Sequence, residues 1–169
     1  AAYLYSGSGS TYTEEKASTD LSLQANLGAA QSHHILYTTL NTSDIKVDEK
    51  GISTANIKFA YKTALLRFTL TFPEDVKVTM DNKTVITLTN ANGTVHNALD
   101  IVWGELAETS AKGDIVFYPT DTLGKKNVAV AYACVWAGDN FKGSKLSMVQ
   151  GADTYSVDLD LKKETLEAG

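Results

Sequence analysis

The chain has 169 residues, 43% of them apolar and 21% charged, and a formal net charge of -5. That length supports one well-buried domain and not two, while the acidic balance argues against nucleic acid or anionic membrane as partner, since both are held through basic clusters. The one cysteine, Cys134, excludes an intrachain disulfide, a cysteine-based zinc cluster and a CxxC redox pair.

The first twenty residues are rich in Ser, Thr and Gly, with Tyr3, Leu4, Tyr5 and Tyr12 as the large anchors, and Ser6 to Ser10 reads as a loop. Leu21, Leu23, Ala25 and Leu27 alternate with polar residues, which predicts a short strand ended by Gly28. His33-His34 reads as an exposed loop pair, and Ile35 to Leu40 as a second strand. Ile45 and Val47 suit a small strand within a polar connection. From Ile57 to Phe72 the apolar set changes parity, first Ile57, Phe59 and Tyr61, then Ala64, Leu66, Phe68, Leu70 and Phe72. One continuous strand cannot bury both sets on one face, so a bulge or break is expected near Lys62-Thr63.

After Pro73, Val76 to Met80 and Thr84 to Thr89 flank Asp81-Asn82-Lys83 and read as a hairpin. Ala98, Ile101, Val102 and Leu106 recur at helical spacing with Gly104 between them, which predicts one or two helical turns. Ile115 to Tyr118 is a strand stopped by Pro119. Asn127 to Trp136 carries Val128, Val130, Tyr132, Cys134 and Trp136 on one face and mostly alanine on the other, as a central strand with a close neighbour on its alanine side would. Val130, Tyr132 and Cys134 are expected to share one core with Leu66, Phe68 and Leu70. Lys145 to Val149 is a short strand, and Tyr155 to Leu161 an edge strand with Asp158 and Asp160 outward.

No HExxH, GxSxG, P-loop or GxGxxG pattern occurs. His33 and His34 would point apart on a strand, His96 has no partner near it in sequence, and Asp158-x-Asp160 lacks the further oxygen ligands that calcium takes. The chain therefore reads as non-enzymatic, with no catalytic, cofactor or metal residue expected. Tyr3, Tyr5, Tyr12, Trp103 and Trp136 leave sugar stacking open, because an exposed ring matches the apolar face of a pyranose. Trp136 ends a core strand, so Trp103 is the better candidate for an exposed aromatic.

Closely spaced strands separated by turn signals predict an all-β sandwich of about 8–10 strands with Greek-key connections and little helix, a single domain over residues 1–169. Several phrases, in order, resemble fimbrillin-like proteins, the fimbrial subunits and surface lipoproteins of Bacteroides-type bacteria. Tyr3 and Tyr5 come first, then Ser22-Leu23-Gln24, then Ile35-Leu36-Tyr37. Phe59, Tyr61 and Ala64 follow, similar to an F-x-H-x-x-A element with Tyr61 in the place of histidine. The resemblance implies an exported subunit or adhesin on the outer membrane and cell surface, part of a fimbrium. Its partners would be other fimbrial subunits or copies of itself, joined by strand exchange, with a surface glycan or protein as a possible ligand. Thr165 to Gly169 resembles the L-x-x-G phrase that precedes one more strand in such domains. A strand-accepting edge is therefore expected, with Tyr155 to Leu161 as its candidate, in a chain that is part of a longer protein. The alternative reading is a carbohydrate-binding sandwich module of a surface glycan system.

Overall fold

A computed structural model describes residues 2–6, 10–12, 16–39, 42–81, 83–90, 92–159, 165–166 and 168. Among them are seventeen strands, one α-helix, Leu27–Ser32, and one 3-10 turn, Thr42–Asp44. The protein is an all-β sandwich with little helix. There are more strands than the expected number because several are only two or three residues long, and they form several sheets packed against each other.

The largest sheet runs, in spatial order, Asp153–Asp158, Lys145–Gln150, Thr84–Thr89, Ile115–Phe117 and Leu23–Gln24. Its pairs are antiparallel except the last, which is parallel. A second five-stranded sheet places Glu105–Leu106, His96–Val102, Lys16–Asp20 and Ser10–Tyr12 side by side, with Ala111–Lys112 also paired to His96–Val102, and a third joins Ala2–Ser6, Ile35–Thr39 and Ala60–Tyr61. The middle of the Ser6 to Ser10 loop lies outside the described residues.

Between these sheets runs a two-stranded ribbon, Thr63–Thr71 against Val128–Trp136, in unbroken antiparallel register. Leu66, Phe68 and Leu70 lie directly opposite Ala133, Ala131 and Ala129, so large side chains sit beside small ones on one face. The three alanines are fully buried, and Phe68 stacks on Phe117 of the largest sheet at 5.4 Å and 18°. Such a stack contributes about 0.5–1.5 kcal/mol beyond its burial. Val130, Tyr132 and Cys134 lie on the opposite face of the ribbon from Leu66, Phe68 and Leu70, although Tyr132 and Cys134 belong with those three to one hydrophobic core, as expected. Val130, Tyr132 and Cys134 oppose Thr69, Arg67 and Leu65.

The parity change at Lys62 is a real break. Ala60–Tyr61 belongs to the third sheet and Thr63–Thr71 to the ribbon, with Lys62 N donating to Ile35 O at 2.8 Å at the crossing. Ile57, Phe59 and Tyr61 do not form a buried face, being 45%, 46% and 45% exposed. Ile45–Val47 does pair, with Ser53–Ala55, in a hairpin whose residues are all exposed.

Gln24 carries the most unusual core contact. It is fully buried, its Nε2 donates to Cys134 O at 2.8 Å and to Leu21 O at 3.1 Å, and its Oε1 accepts from Cys134 N at 2.6 Å. One side-chain amide thus does for Cys134 what a neighbouring strand would do. The Cys134 thiol is buried, and burial pushes its pKa up to about 11. A thiol reagent is expected to label it only after unfolding, and prompt stoichiometric labelling of the folded chain would contradict this burial.

Three other expectations are corrected. Leu21 to Leu27 is not one strand, because Leu23 is 54% exposed and Gln24 turns inward. The chain then enters the helix Leu27–Ser32, whose N-cap Asn26 accepts from Ala29 N at 2.9 Å. Val76 to Met80 buries Val76 and Val78 but forms no ladder strand among the described residues. His96–Val102 is a strand and not helical turns, with Leu99 and Ile101 buried at period two.

Candidate functional site

Among the described residues the ribbon strand Thr63–Thr71 is paired on one side only. Val130 turns both backbone groups away from Thr63–Thr71, donating to Asp121 O and accepting from Thr120 N, each at 2.7 Å. Cys134 does the same toward Gln24. Residues opposite one another in an antiparallel pair either both bond across it or both turn away. Thr69, opposite Val130, and Leu65, opposite Cys134, therefore point N–H and C=O outward, and alternation adds Arg67 and Thr71. Among the described residues no strand pairs with this outer edge.

Beneath that edge the inward face of the largest sheet is only partly covered. Leu146 and Met148 are 3% and 2% exposed, whereas Val157, directly opposite Leu146 on the next strand, is 53% exposed. The ring of Phe72 meets Tyr155 edge-on at 5.5 Å. Between the two layers lies a groove of about 360 Å³, lined by residues 69–73, 146–148 and 155–157, with no charged side chain in its lining. An added strand would lie about 4.8 Å beyond Thr63–Thr71, where its inward side chains could cover Val157. The strand expected at Tyr155 to Leu161 is, over Asp153–Asp158, the edge strand of its sheet and has no partner on its outer side among the described residues. Its residues 155–157 form one wall of the groove, and the unpaired outer backbone of Thr63–Thr71 lies along the other.

The polar clusters are structural. Asp139, 3% exposed, accepts from His96 N at 2.7 Å and His96 Nδ1 at 2.6 Å, fastening the turn after Trp136 to the His96–Val102 strand. Burial raises the pKa of Asp139, and the His96 bonds oppose that rise. Nothing near His96 in sequence pointed to a partner 43 residues away. Asp100 accepts from Ser18 Oγ at 2.6 Å and from Thr109 Oγ1, and lies 3.1 Å from Lys16 Nζ. The two hydroxyls first, and then the lysine, hold its pKa down at about 2, below the ordinary 3.8. A depressed carboxylate stabilises the fold fully above its unfolded pKa and loses that contribution as pH falls through the folded value. The gap in thermal midpoint between the parent and Asp100→Asn should therefore shrink from about pH 5 to about pH 2. A gap that stays constant over that range would contradict the assignment.

The histidine pair points apart, as read, but is not an exposed loop. His33, 8% exposed, bonds Thr19 Oγ1 at 2.6 Å, and His34 Nδ1 bonds Thr63 Oγ1 at 3.1 Å. Burial lowers both pKa values. Asp158 lies 3.3 Å from Lys145 Nζ, and Asp160 is outside the described residues, as are the side chains of Tyr3, Tyr5 and Tyr12. Trp136 is half-buried against the core, while Trp103 is 50% exposed at a hairpin tip. No protein-family model, curated protein or solved structure matches the chain.

Proposed function

We propose that this protein is a non-enzymatic cell-surface subunit of fimbrillin-like type, which assembles by accepting a strand from another subunit or copy along Thr63–Thr71. The observation that carries the proposal is the unpaired outer edge at Leu65, Arg67, Thr69 and Thr71 above an uncharged groove. Strand addition draws affinity from main-chain hydrogen bonds and selectivity from alternate side chains in pockets. Each such bond is worth about 0.5–1.5 kcal/mol net, and covered apolar area adds about 25 cal/mol per Å². Export to the outer membrane and a place in a fimbrium rest on the order of Tyr3 and Tyr5, Ser22-Leu23-Gln24, Ile35-Leu36-Tyr37 and the Phe59 to Ala64 element.

The test is strand addition itself. Strand-length peptides with apolar side chains at alternate positions are titrated into the chain, and sedimentation follows the chain alone at rising concentration. Binding that raises the denaturant midpoint, or self-association that a peptide competes away, supports the proposal. A chain that stays monomeric and binds no peptide sinks it.

A further inference from the structure

We infer that the hairpin tip at Trp103 is a sugar-binding platform, on which the indole takes the apolar face of a pyranose ring while Glu105 and Lys62 hydrogen-bond its rim. The inference is independent of strand addition and goes beyond it. Val102 and Glu105 pair across a two-residue turn, so Trp103 and Gly104 alone make the tip. Their φ values are 52° and 83°, both positive, the combination for which hairpin turns select asparagine and glycine. A bulky residue there is an outlier, and strained backbone of this kind gathers at sites that use it. Trp103 is also 50% exposed, so core packing does not explain its presence.

The tip is held firmly. A Cβ added to Gly104 would lie 2.5 Å from the Tyr37 ring, so only glycine lets the turn close onto that ring. Lys62 Nζ sits 5.3 Å from the centroid of the same ring and 3.4 Å from Glu105 Oε1. The side chain of Glu105 is 83% exposed. A preorganised aromatic loses little freedom on binding, which favours weak polar ligands such as sugars. A protein hot spot sits instead at the dry centre of a patch that excludes water. Here a single exposed ring stands two residues before a solvated carboxylate that is paired to the part-buried Lys62 ammonium, which suits a ligand with one apolar face and a rim of hydroxyls.

The test uses the whole chain and a panel of cello-, chito-, malto- and mannohexaose. Trp103 and Trp136 are the only tryptophans, so there are two indole N–H resonances, and Trp103→Asn assigns them. The expected result is a saturable shift of the Trp103 resonance with at least one hexasaccharide, while Trp136 stays still. In Trp103→Asn the affinity should fall more than tenfold with a denaturant midpoint no lower than the parent's, since asparagine suits the turn. Thr69→Pro should bind the sugar as the parent does. No saturable shift with any of the four sugars overturns the inference, as does a Trp103→Asn variant that binds within twofold of the parent. A Trp103 shift produced by the strand-length peptides and not by sugars would assign the tip to a protein contact and overturn it equally.

Discussion

Gln24→Leu is expected to destabilise the fold by about 2–6 kcal/mol, because it leaves the N–H and C=O of Cys134 buried without partners at about 1–3 kcal/mol each. Leucine nearly matches glutamine in size, so the loss is polar and not a packing defect. Gln24→Glu separates the two bonds, since a carboxylate can still accept from Cys134 N but cannot donate to Cys134 O or Leu21 O. Against a total stability of about 5–15 kcal/mol for a domain, the leucine variant stands near the unfolding threshold. A denaturant midpoint equal to the parent's would mean that water or a shifted strand satisfies Cys134, and the role of Gln24 as a substitute strand would fall.

Two proline variants separate the open edge from the paired one. Thr69 points its N–H outward, so Thr69→Pro keeps the ladder to Val128–Trp136 and leaves the midpoint close to the parent's. It should weaken strand addition by more than about tenfold, through the lost donor and the bulk of the ring at the edge. Leu70 faces Ala129 within the ladder, so Leu70→Pro removes an internal bond and should cost about 3 kcal/mol or more. Equal damage from both prolines, or a Thr69→Pro chain that accepts peptides like the parent, would place the acceptor edge elsewhere.

The two ribbon strands were legible because apolar and polar residues alternate from Leu66 to Thr71 in one, and large residues alternate with alanine from Val128 to Cys134 in the other. The break at Lys62 was legible because one strand cannot change the parity of its buried face. Which edge stays open was not. Alternation reports the face of a side chain, while an edge depends on pairing between segments far apart in the chain, as Val128 and Thr71 are. Gln24 escaped because a polar residue between Leu23 and Ala25 reads as outward-facing, and its partner Cys134 is 110 residues away. The helix Leu27–Ser32 is too short to show a period, though Asn26 before it was a readable cap. In His96–Val102 the spacing of Ala98 and Ile101 imitated a helix. The turn that would have corrected this reading was hidden by a tryptophan where turn chemistry calls for asparagine. Local rules fail most often where a residue serves something other than the fold.

Hydrogen exchange of the ribbon amides, resolved residue by residue, tests the open edge most directly. In the free chain the amides of Leu65, Arg67, Thr69 and Thr71 should exchange rapidly while those of Leu66, Phe68 and Leu70 are protected by their bonds to Val128–Trp136. Binding of a strand should then slow the first set and leave the second unchanged. Protection of Arg67 and Thr69 already present in the free chain, or protection on binding that appears at another segment and spares them, would contradict the account.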